Sequence, residues 1–191
     1  MEPILYKYRG IKEFRYLTDI ILKKRLFAAK YTDLNDPMEG QYYYNKGELN
    51  QNILRKLKDG KDVLRLCSLS KNKNNELMWS HYAEGHRGIA IGVRVNPDLY
   101  TLRAVQYTGL AYLQNPKIET DSPTEILCHK LNVWSYEEEE RVFVENKNFI
   151  DVEVVEINTG RAMSNQDYSF IKELVEKISP NIPIIKAESY M

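Results

Sequence analysis

Short strand-like and helix-like segments follow one another in an irregular order along this chain. In the strand-like segments apolar and polar side chains alternate, as around Ile89 and Ile91. In the helix-like segments apolar side chains recur with the helical period, as at Phe14 and Leu17. A parallel sheet would require strands that alternate regularly with crossover helices, and the chain has no such rhythm. The pattern therefore predicts an α+β fold with a mixed, largely antiparallel sheet and flanking helices.

The individual elements are predicted from periodicity and from turn-forming residues. We predict strands at residues 4–8, 26–29, 63–70, 88–94, 102–107, 139–144, 152–157 and 182–187. We predict helices at residues 12–24, 48–58, 76–84, 123–131 and 166–178, and loops at residues 32–40 and 115–122. Asn74 or Asn75 is the expected N-cap of the third helix. Because 191 residues show no internal repeat or interdomain linker, we expect one domain spanning residues 1–191.

Composition excludes several classes of protein. Hydrophobic residues make up 43% of the chain, which is typical of a packed globular domain rather than a disordered one. Lys plus Arg equals Asp plus Glu at 27 each, so net charge gives no general attraction to nucleic acid or anionic lipid. Cys67 and Cys128 are too far apart to suggest a disulfide framework or structural zinc, and we expect no metal. No signal-peptide pattern or apolar run of about 20 residues is present, so we expect a cytoplasmic protein with no membrane association.

Residues 77–88 combine two imidazoles, a phenol and a guanidinium within about three turns of chain. The residues concerned are His81, Tyr82, His86 and Arg87. A packed helix followed by a solvated turn would explain any one of them alone. Together they are costly to place in a purely structural corner, which favours a functional site. Trp79 and His81 point in different directions on a helix, so we expect Trp79 to be structural and His81 to be functional.

Residues 134–141 end in a dense run of glutamates. If this segment enters a strand, Glu137, Glu139 and Arg141 point to one face. Two carboxylates on one face repel each other unless a cation lies close by, and Arg141 can supply that cation. The alternative is a solvated charge run at the end of a strand. Because apolar residues follow at once, we expect part of the run to face inward.

Two shorter motifs complete the predicted site. Asn35 and Asp36 lie in a cluster of turn-forming residues whose side chains can also fix a ligand. Ser68 and Ser70 share one face at the end of a strand, where their hydroxyls can bind a ligand or cap the next turn. We expect residues 35–37, 79–87 and 134–141 to converge on one working site.

The motifs together resemble a bacterial family known as domain of unknown function 2971. The matching pattern comprises Leu5-Tyr6-Lys7-Tyr8, Asn35-Asp36-Pro37-Met38-Glu39-Gly40, Cys67-Ser68, Met78-Trp79-Ser80-His81-Tyr82-Ala83, His86-Arg87-Gly88 and Trp134-x-Tyr136-Glu137-x-Glu139-x-Arg141. The resemblance implies no activity. It implies a bacterial or phage-associated context, in some members close to defence genes.

A second resemblance is to ADP-ribosyltransferases. One large class of them has an arginine on the first strand, a Ser-x-Ser strand and a late Glu-x-Glu pair, and this chain offers Arg9, Ser68-Leu69-Ser70 and Glu137-Glu138-Glu139 in that order. Leucine replaces the usual threonine between the serines. The resemblance implies an ADP-ribosyltransferase-like fold and NAD as the substrate. The ADP-ribose would go to a nucleic-acid or protein acceptor, or to water in an NAD glycohydrolase. A toxin or an anti-phage defence effector would fit this activity.

The resemblance and the motifs assign candidate roles. Glu139 would stabilise positive charge on the ribose, Glu137 would orient the acceptor, and His81 and Tyr82 are further catalytic candidates. The candidates for binding the nucleotide are Tyr8, Arg9, Asn35, Asp36, Ser68, Ser70, His86, Arg87 and Arg141. Two other functions stay open: a non-catalytic module that binds a nucleotide or a protein in a defence system, and a hydrolase with His81 or His86 as its base. The sequence predicts no particular oligomeric state.

Overall fold

A seven-stranded sheet forms the centre of the structure, a computed structural model that describes residues 2–12, 14–114 and 122–187. The strands are β1 (Leu5–Arg9), β2 (Arg25–Phe27), β3 (Tyr42–Tyr44), β4 (Leu64–Ser70), β5 (Ile89–Arg94), β6 (Thr101–Ala104), β7 (Ala111–Leu113), β8 (Glu139–Glu145), β9 (Phe149–Asp151), β10 (Glu153–Thr159) and β11 (Ile184–Ile185). The large sheet has the order β11-β10-β5-β1-β4-β8-β6, and only β10 and β11 in it are parallel neighbours. Strands β2 and β9 form a small antiparallel sheet, and β3 and β7 a small parallel one. This is the single α+β domain with a largely antiparallel sheet that the sequence predicts.

Within the described residues, five α-helices and two 3₁₀ helices connect the strands. The α-helices are α1 (Phe14–Lys23), α2 (Gln51–Val63), α3 (Glu76–Tyr82), α4 (Ser122–Ile126) and α5 (Asn165–Ile178), and the 3₁₀ helices are Tyr31–Asp33 and Asn132–Glu137. Asn75 caps α3, because its side-chain oxygen accepts hydrogen bonds from the backbone N–H groups of Leu77 and Met78. No helix in the described ranges is both long and apolar enough to cross a membrane.

The central sheet is buried on both faces. On one face, helices α1 and α5 pack their apolar stripes against side chains such as Leu5 and Leu69. On the other face, Met78 and Trp79 of α3 pack against Tyr6 and Tyr8. Successive side chains of β1 therefore enter two different clusters, as expected for a strand with a period of two.

Strands β1 and β4 are neighbours at only one position. Tyr6 pairs with Ser70, whereas β1 pairs with β5 along its whole length. Farther along, Leu66 of β4 pairs with Ala29 through two hydrogen bonds of 2.8 and 2.9 Å. The Lys7 Nζ donates to the carbonyl oxygen of Ser68 at 2.8 Å, where a regular ladder would use a backbone N–H. The two strands thus diverge beyond Tyr6, and the segment after β2 fills part of the gap.

Several predicted boundaries differ from the structure. Helix α2 continues through Gly60 to Val63, although Asp59-Gly60 predicts a stop near residue 58. Its last turn is held by the buried Lys61, whose Nζ donates to the carbonyl oxygen of Gly40 at 2.7 Å. The helix expected at residues 123–131 ends at Ile126, and the strand expected at residues 102–107 covers only Thr101–Ala104.

Three short strands and both 3₁₀ helices of the described residues were not predicted. Strands β3, β7 and β9 have three residues each, too few for an alternating pattern to be recognised. Residues 132–137 form a 3₁₀ helix instead of leading directly into a strand, and Glu138 follows it in the left-handed region, with a φ of 45°. Of the loop expected at residues 115–122, all but Ser122 lies outside the described residues.

Candidate functional site

A cleft of about 350 Å³ opens where β1 and β4 diverge. Its volume is in the range of small-molecule sites. All three predicted segments reach it: the loop after β2, helix α3, and the 3₁₀ helix that leads to β8. Of the candidate residues, the cleft is lined by Tyr8, Arg9, Asn35, Asp36, Ser68, Ser70, Tyr82, Glu137 and Glu139.

The floor of the cleft is a network of buried charges. The Lys130 Nζ lies 2.6 Å from Glu137 Oε2 and 2.8 Å from Glu139 Oε2, so one ammonium group bridges the two carboxylates. The Arg141 Nε donates to Glu139 Oε1 at 2.7 Å. The remaining nitrogens of Arg141 bind Glu39 and the carbonyl oxygen of Leu127. Burial of these charges is tolerable because every one has an oppositely charged partner at hydrogen-bond distance.

The two bridged glutamates have opposite pKa shifts. Burial raises the pKa of Glu139, but Arg141 and Lys130 outweigh it and lower the value to about 2. Burial also raises the pKa of Glu137, and here the opposing effects of Lys130 and Tyr82 are too weak to cancel it. Glu139 is therefore held as a carboxylate, while Glu137 is closer to exchanging a proton. Two carboxyl groups whose pKa values are pushed apart are typical of an acid–base pair.

Tyr82 connects the three predicted segments. Its hydroxyl donates to Glu137 Oε1 at 2.6 Å. Burial raises the pKa of Tyr82, the bond to Glu137 raises it further, and the nearby Asn35 side chain opposes both. Tyr82 therefore stays protonated and acts as a donor to Glu137. The hydroxyl lies at the point where the Asn35 loop, helix α3 and the 3₁₀ helix meet.

Two further contacts attach α3 to the 3₁₀ helix. At the start of α3, the Asn75 Nδ2 donates to the carbonyl oxygen of Tyr136 at 2.9 Å. At its end, the His81 Nδ1 lies 3.0 Å from the Tyr136 hydroxyl. The His81 ring is exposed. It lines a second cavity beside the cleft instead of the cleft itself.

Aromatic rings form the walls of the cleft. Tyr6, Tyr8, Phe27 and Trp134 all line it. The Tyr8 ring is held edge-on against Trp79 with centroids 5.2 Å apart, and its hydroxyl donates to the carbonyl oxygen of Asn72 at 2.7 Å. Rings fixed in this way offer flat surfaces to a planar ligand.

Arg9 stands between the cleft and the second cavity. The second cavity has a volume of about 250 Å³ and shares Tyr8, Arg9 and Tyr82 with the cleft. The Arg9 Nε is buried and has no hydrogen-bond partner among the described residues. A buried donor without a partner is rare and indicates a group that is completed by a ligand or by water. A guanidinium in this position suits an anion such as a phosphate.

Two of the lining residues also hold local turns. The Ser70 hydroxyl bonds the backbone N–H and carbonyl of Asn72 at 3.1 Å each, which is the capping role left open for it by the sequence. The Asp36 Oδ1 accepts from the backbone N–H of Met38 at 2.9 Å. Ser68 lines the cleft without such a turn contact in the described part of the chain. Ser68 is thus the serine whose hydroxyl is better placed for a ligand.

Three predicted binding residues do not reach the cleft. Arg141 is fully buried beneath it, so it can position Glu139 but cannot touch a ligand. His86 stacks on Trp79 and lies 3.3 Å from Glu76, on a different surface. Arg87 is exposed and lines neither cavity. Both residues follow His81 closely in sequence, but Glu84, Gly85 and His86 all adopt left-handed backbone angles that turn the chain away from the cleft.

Lys130 and Glu39 belong to the charge network of the site, although no sequence motif indicates a role for either of them. Lys130 lies outside every motif, and Glu39 belongs to the Asn35 loop but was not given a role. Glu137 and Glu139 both face inward, and two such carboxylates require a cation close by. The sequence thus indicates that a cationic partner exists, but it does not indicate which lysine or arginine supplies the charge. Within the described ranges, no cluster of three or more potential ligands is arranged to hold a metal ion.

Comparisons with protein-family models, curated proteins and solved structures gave no match.

Proposed function

We propose that this protein is an NAD-using ADP-ribosyltransferase or NAD glycohydrolase. The observation that carries the proposal is the order of the strands: β1 with Arg9, β4 with Ser68, and β8 with Glu139 are consecutive neighbours. Ser70 pairs with Tyr6 on one side and with Glu139 on the other. Two strand spacings, roughly 10 Å, therefore separate the backbones of Tyr6 and Glu139 across the cleft. This distance suits one half of a dinucleotide.

The charges of the cleft fit the cleavage of a nicotinamide glycosidic bond. When the bond between nicotinamide and ribose breaks, its electron pair leaves with the nicotinamide nitrogen and positive charge develops on the ribose. The ionised Glu139 can stabilise that charge and accept a hydrogen bond from the ribose 2′-hydroxyl. The acceptor then bonds to the ribose carbon and loses a proton. With water as the acceptor the reaction is NAD hydrolysis.

The remaining parts of NAD find suitable partners at the same site. The Arg9 guanidinium forms no ion pair with any described residue, so it is available for the pyrophosphate. The rings of Tyr8, Tyr82 and Trp134 offer surfaces on which the nicotinamide can stack. Ser68 can bond a ribose hydroxyl.

The test is release of nicotinamide from NAD by the purified protein, with water, single-stranded DNA, RNA or protein as the acceptor. We expect turnover that Glu139→Gln slows at least about 100-fold, the scale of one lost electrostatic contact. Arg9→Gln should weaken NAD binding in calorimetry, because the phosphate loses its charged donor. Arg87→Gln, whose side chain is exposed and outside both cavities, is the control and should match the wild-type protein.

A non-catalytic nucleotide-binding module is the second candidate. It is favoured by the saturation of Glu139, both of whose oxygens already bind cations. A protein that binds NAD in calorimetry but releases no nicotinamide with any acceptor would establish this alternative. A protein that neither binds nor turns over NAD would contradict the enzymatic function and would favour a module that binds another nucleotide or a protein. Since Glu139→Gln disturbs a buried network, its melting temperature must be measured beside its activity.

A further inference from the structure

Two cations on one face of β1 lie at the cleft without a carboxylate partner. Lys7 and Arg9 are two residues apart, so both side chains leave the strand on the same face, from Cα atoms roughly 7 Å apart. Both residues are partly buried and line the cleft. Neither side chain forms an ion pair with any described residue. Because a cation is costly to bury without a counter-charge, this pair indicates an anionic ligand.

The carboxylates of the opposite wall are already engaged. Glu137 and Glu139 are bridged by Lys130, at 2.6 and 2.8 Å. Two aspartates also line the cleft: Asp36 accepts a hydrogen bond from the backbone of its own loop, and Asp33 is exposed. The cleft therefore has one wall whose charges are paired within the protein and one wall, on β1, whose charges are not.

We propose that Lys7 and Arg9 together bind the diphosphate group of a nucleotide ligand. The assignment rests on the proposed function in taking NAD as that ligand, and it adds Lys7 as a second arm beside Arg9. The planar fork of a guanidinium matches two oxygens of one phosphoryl group, whereas an ammonium is a compact point charge that suits the other. Two cations on one strand face thus complement the two linked phosphoryl groups better than a single phosphate.

The divergence of β1 and β4 explains the position of the Lys7 ammonium group. Beyond Tyr6 the two strands are no longer paired, and the Lys7 side chain crosses the gap to the carbonyl oxygen of Ser68 at 2.8 Å. An ammonium has three donors, and this is the one hydrogen bond that Lys7 Nζ makes to the described residues. Burial lowers the pKa of Lys7, and the positive charge of Arg9 lowers it further, against the opposing effects of Cys67 and the glutamates. An anion bound between the two cations should raise that pKa again.

The side of Arg9 on which the anion binds follows from the position of Glu84. Glu84 lines the second cavity together with Arg9, and its Oε1 accepts from the backbone N–H of Lys12 at 3.4 Å. A phosphate in the second cavity would therefore meet a carboxylate. Lys7 lines the cleft and not the second cavity. The diphosphate is thus expected on the cleft side of Arg9, where the second cation lies.

The first experiment measures binding of ADP-ribose by calorimetry and needs no activity. Lys7→Met keeps most of the length of the side chain but removes its charge, and we expect it to weaken binding at least about 10-fold, as the loss of a hydrogen bond to a charged group does. Arg9→Gln should cause a loss of the same order. Lys71→Met is the control, because Lys71 pairs with Glu140 and lines neither cavity, and its affinity should equal that of the wild-type protein. Wild-type protein that does not bind ADP-ribose, or Lys7→Met protein that binds it with unchanged affinity, would overturn the assignment.

The second experiment uses the wild-type protein, so it does not depend on the folding of a variant. The pKa of Lys7 is followed by NMR of its ¹³Cε signal, which Lys7→Met identifies by its disappearance. We expect ADP-ribose to raise this pKa, because the diphosphate stabilises the charged ammonium, whereas a lysine that only closes the gap between β1 and β4 would not respond. A Lys7 pKa that saturating ADP-ribose leaves unchanged would refute the assignment.

The outcome for this site is separable from the outcome for the proposed function. Binding of ADP-ribose that requires both cations, without release of nicotinamide from NAD, would support the diphosphate site and refute the enzymatic function. Release of nicotinamide with the same KM in Lys7→Met and wild-type protein would support the enzymatic function and refute the role of Lys7.

Discussion

The Tyr82 hydroxyl donates a hydrogen bond of 2.6 Å to the Oε1 of Glu137, across 55 residues of sequence. This bond fastens the end of α3 to the segment that leads into β8, and so it fixes the width of the cleft between them. It also sets the state of Glu137, because a donor to the carboxylate lowers the pKa that burial raises. The contact therefore has both a structural and an electrostatic consequence.

Tyr82→Phe should make stability more sensitive to pH. Because the folded-state pKa of Glu137 is raised above its ordinary value of 4.5, ionising this group costs the folded state free energy. The cost is absent well below pH 4.5 and complete above the raised pKa. Removing the Tyr82 donor increases it by about 1.5–3 kcal/mol, the value of a hydrogen bond to a charged group. Chemical denaturation at several pH values should show a deficit that is small in acid and largest near neutrality.

Tyr112→Phe provides the matched control for that experiment. The Tyr112 side chain is exposed, and within the described structure its hydroxyl has no hydrogen-bond partner. Its removal should leave the unfolding free energy unchanged at every pH. A Tyr82→Phe deficit that is the same in acid and at neutrality would mean that the hydroxyl acts on packing and not on Glu137.

Arg141→Met should destabilise the protein strongly, even though Arg141 cannot touch a ligand. The guanidinium is fully buried between Glu39 and Glu139. Its removal deprives two buried carboxylates of the cation that they share. Breaking a buried ion pair from one side costs about 3–5 kcal/mol. Arg94→Met is the comparison, because Arg94 pairs with the exposed Glu153 and should cost at most about 1 kcal/mol. Equal losses of unfolding free energy for the two variants in urea denaturation would show that the buried ion pairs of Arg141 stabilise the protein no more than an exposed one does.

The fold class was predictable because strand and helix types depend on local periodicity. The strand around Ile89 and the cap of α3, expected at Asn74 or Asn75 and observed at Asn75, both depend on the sequence of short segments. Boundaries were less predictable where a distant partner decides them. Helix α2 continues beyond Gly60 because the Lys61 side chain donates a hydrogen bond to the carbonyl oxygen of Gly40. No local sequence pattern indicates this contact.

The site was predictable only in part, for a similar physical reason. Local clusters of polar and aromatic residues can be recognised in a sequence, and some of their polar groups are costly to bury. Tyr82, Glu137 and Glu139 could therefore be predicted as site residues. Which cation neutralises a buried glutamate depends on tertiary structure, so Lys130 could not be chosen among the other lysines. His86 and Arg87 are close to His81 in sequence, but a left-handed turn of the backbone places both outside the cleft, and no local pattern indicates such a turn.

Trp79→Ala should test whether α3 is a structural support for the cleft. Trp79 is only 8% exposed, its Nε1 donates to the carbonyl oxygen of Lys73 at 2.8 Å, and its ring packs on Tyr8. Truncation should cost about 3–5 kcal/mol, as is usual for large buried side chains. Leu77, two residues earlier in the same helix and 47% exposed, is the control. Leu77→Ala should cost well below 1 kcal/mol in thermal unfolding; a comparable loss would show that the helix, and not the Trp79 contact, is being tested.

The acid limb of the stability curve should report the ionised state of Glu139. Its folded-state pKa of about 2 lies below the ordinary value of 4.5, so the carboxylate contributes stability that is complete above pH 4.5 and lost as the pH falls toward 2. The contribution is on the order of 3 kcal/mol, from 1.36 kcal/mol for each pH unit. Glu139→Gln should be less stable than the wild-type protein at neutral pH, and the difference should shrink by about that amount between pH 5 and pH 2.

The control is a variant that loses stability without losing a titrating group. It separates the pH-dependent contribution of Glu139 from a general loss of unfolding free energy. Leu69 is buried on the neighbouring strand β4, and Leu69→Ala removes packing while it leaves Glu139 and both of its cations in place. Its deficit relative to the wild-type protein should stay constant from pH 5 to pH 2, because no titrating group has been changed. If the Glu139→Gln deficit also stayed constant over that range, Glu139 would not be held ionised by Arg141 and Lys130. The carboxylate could then not be the group that stabilises positive charge on a ribose at low cost, and the catalytic role proposed for it would lose its electrostatic basis.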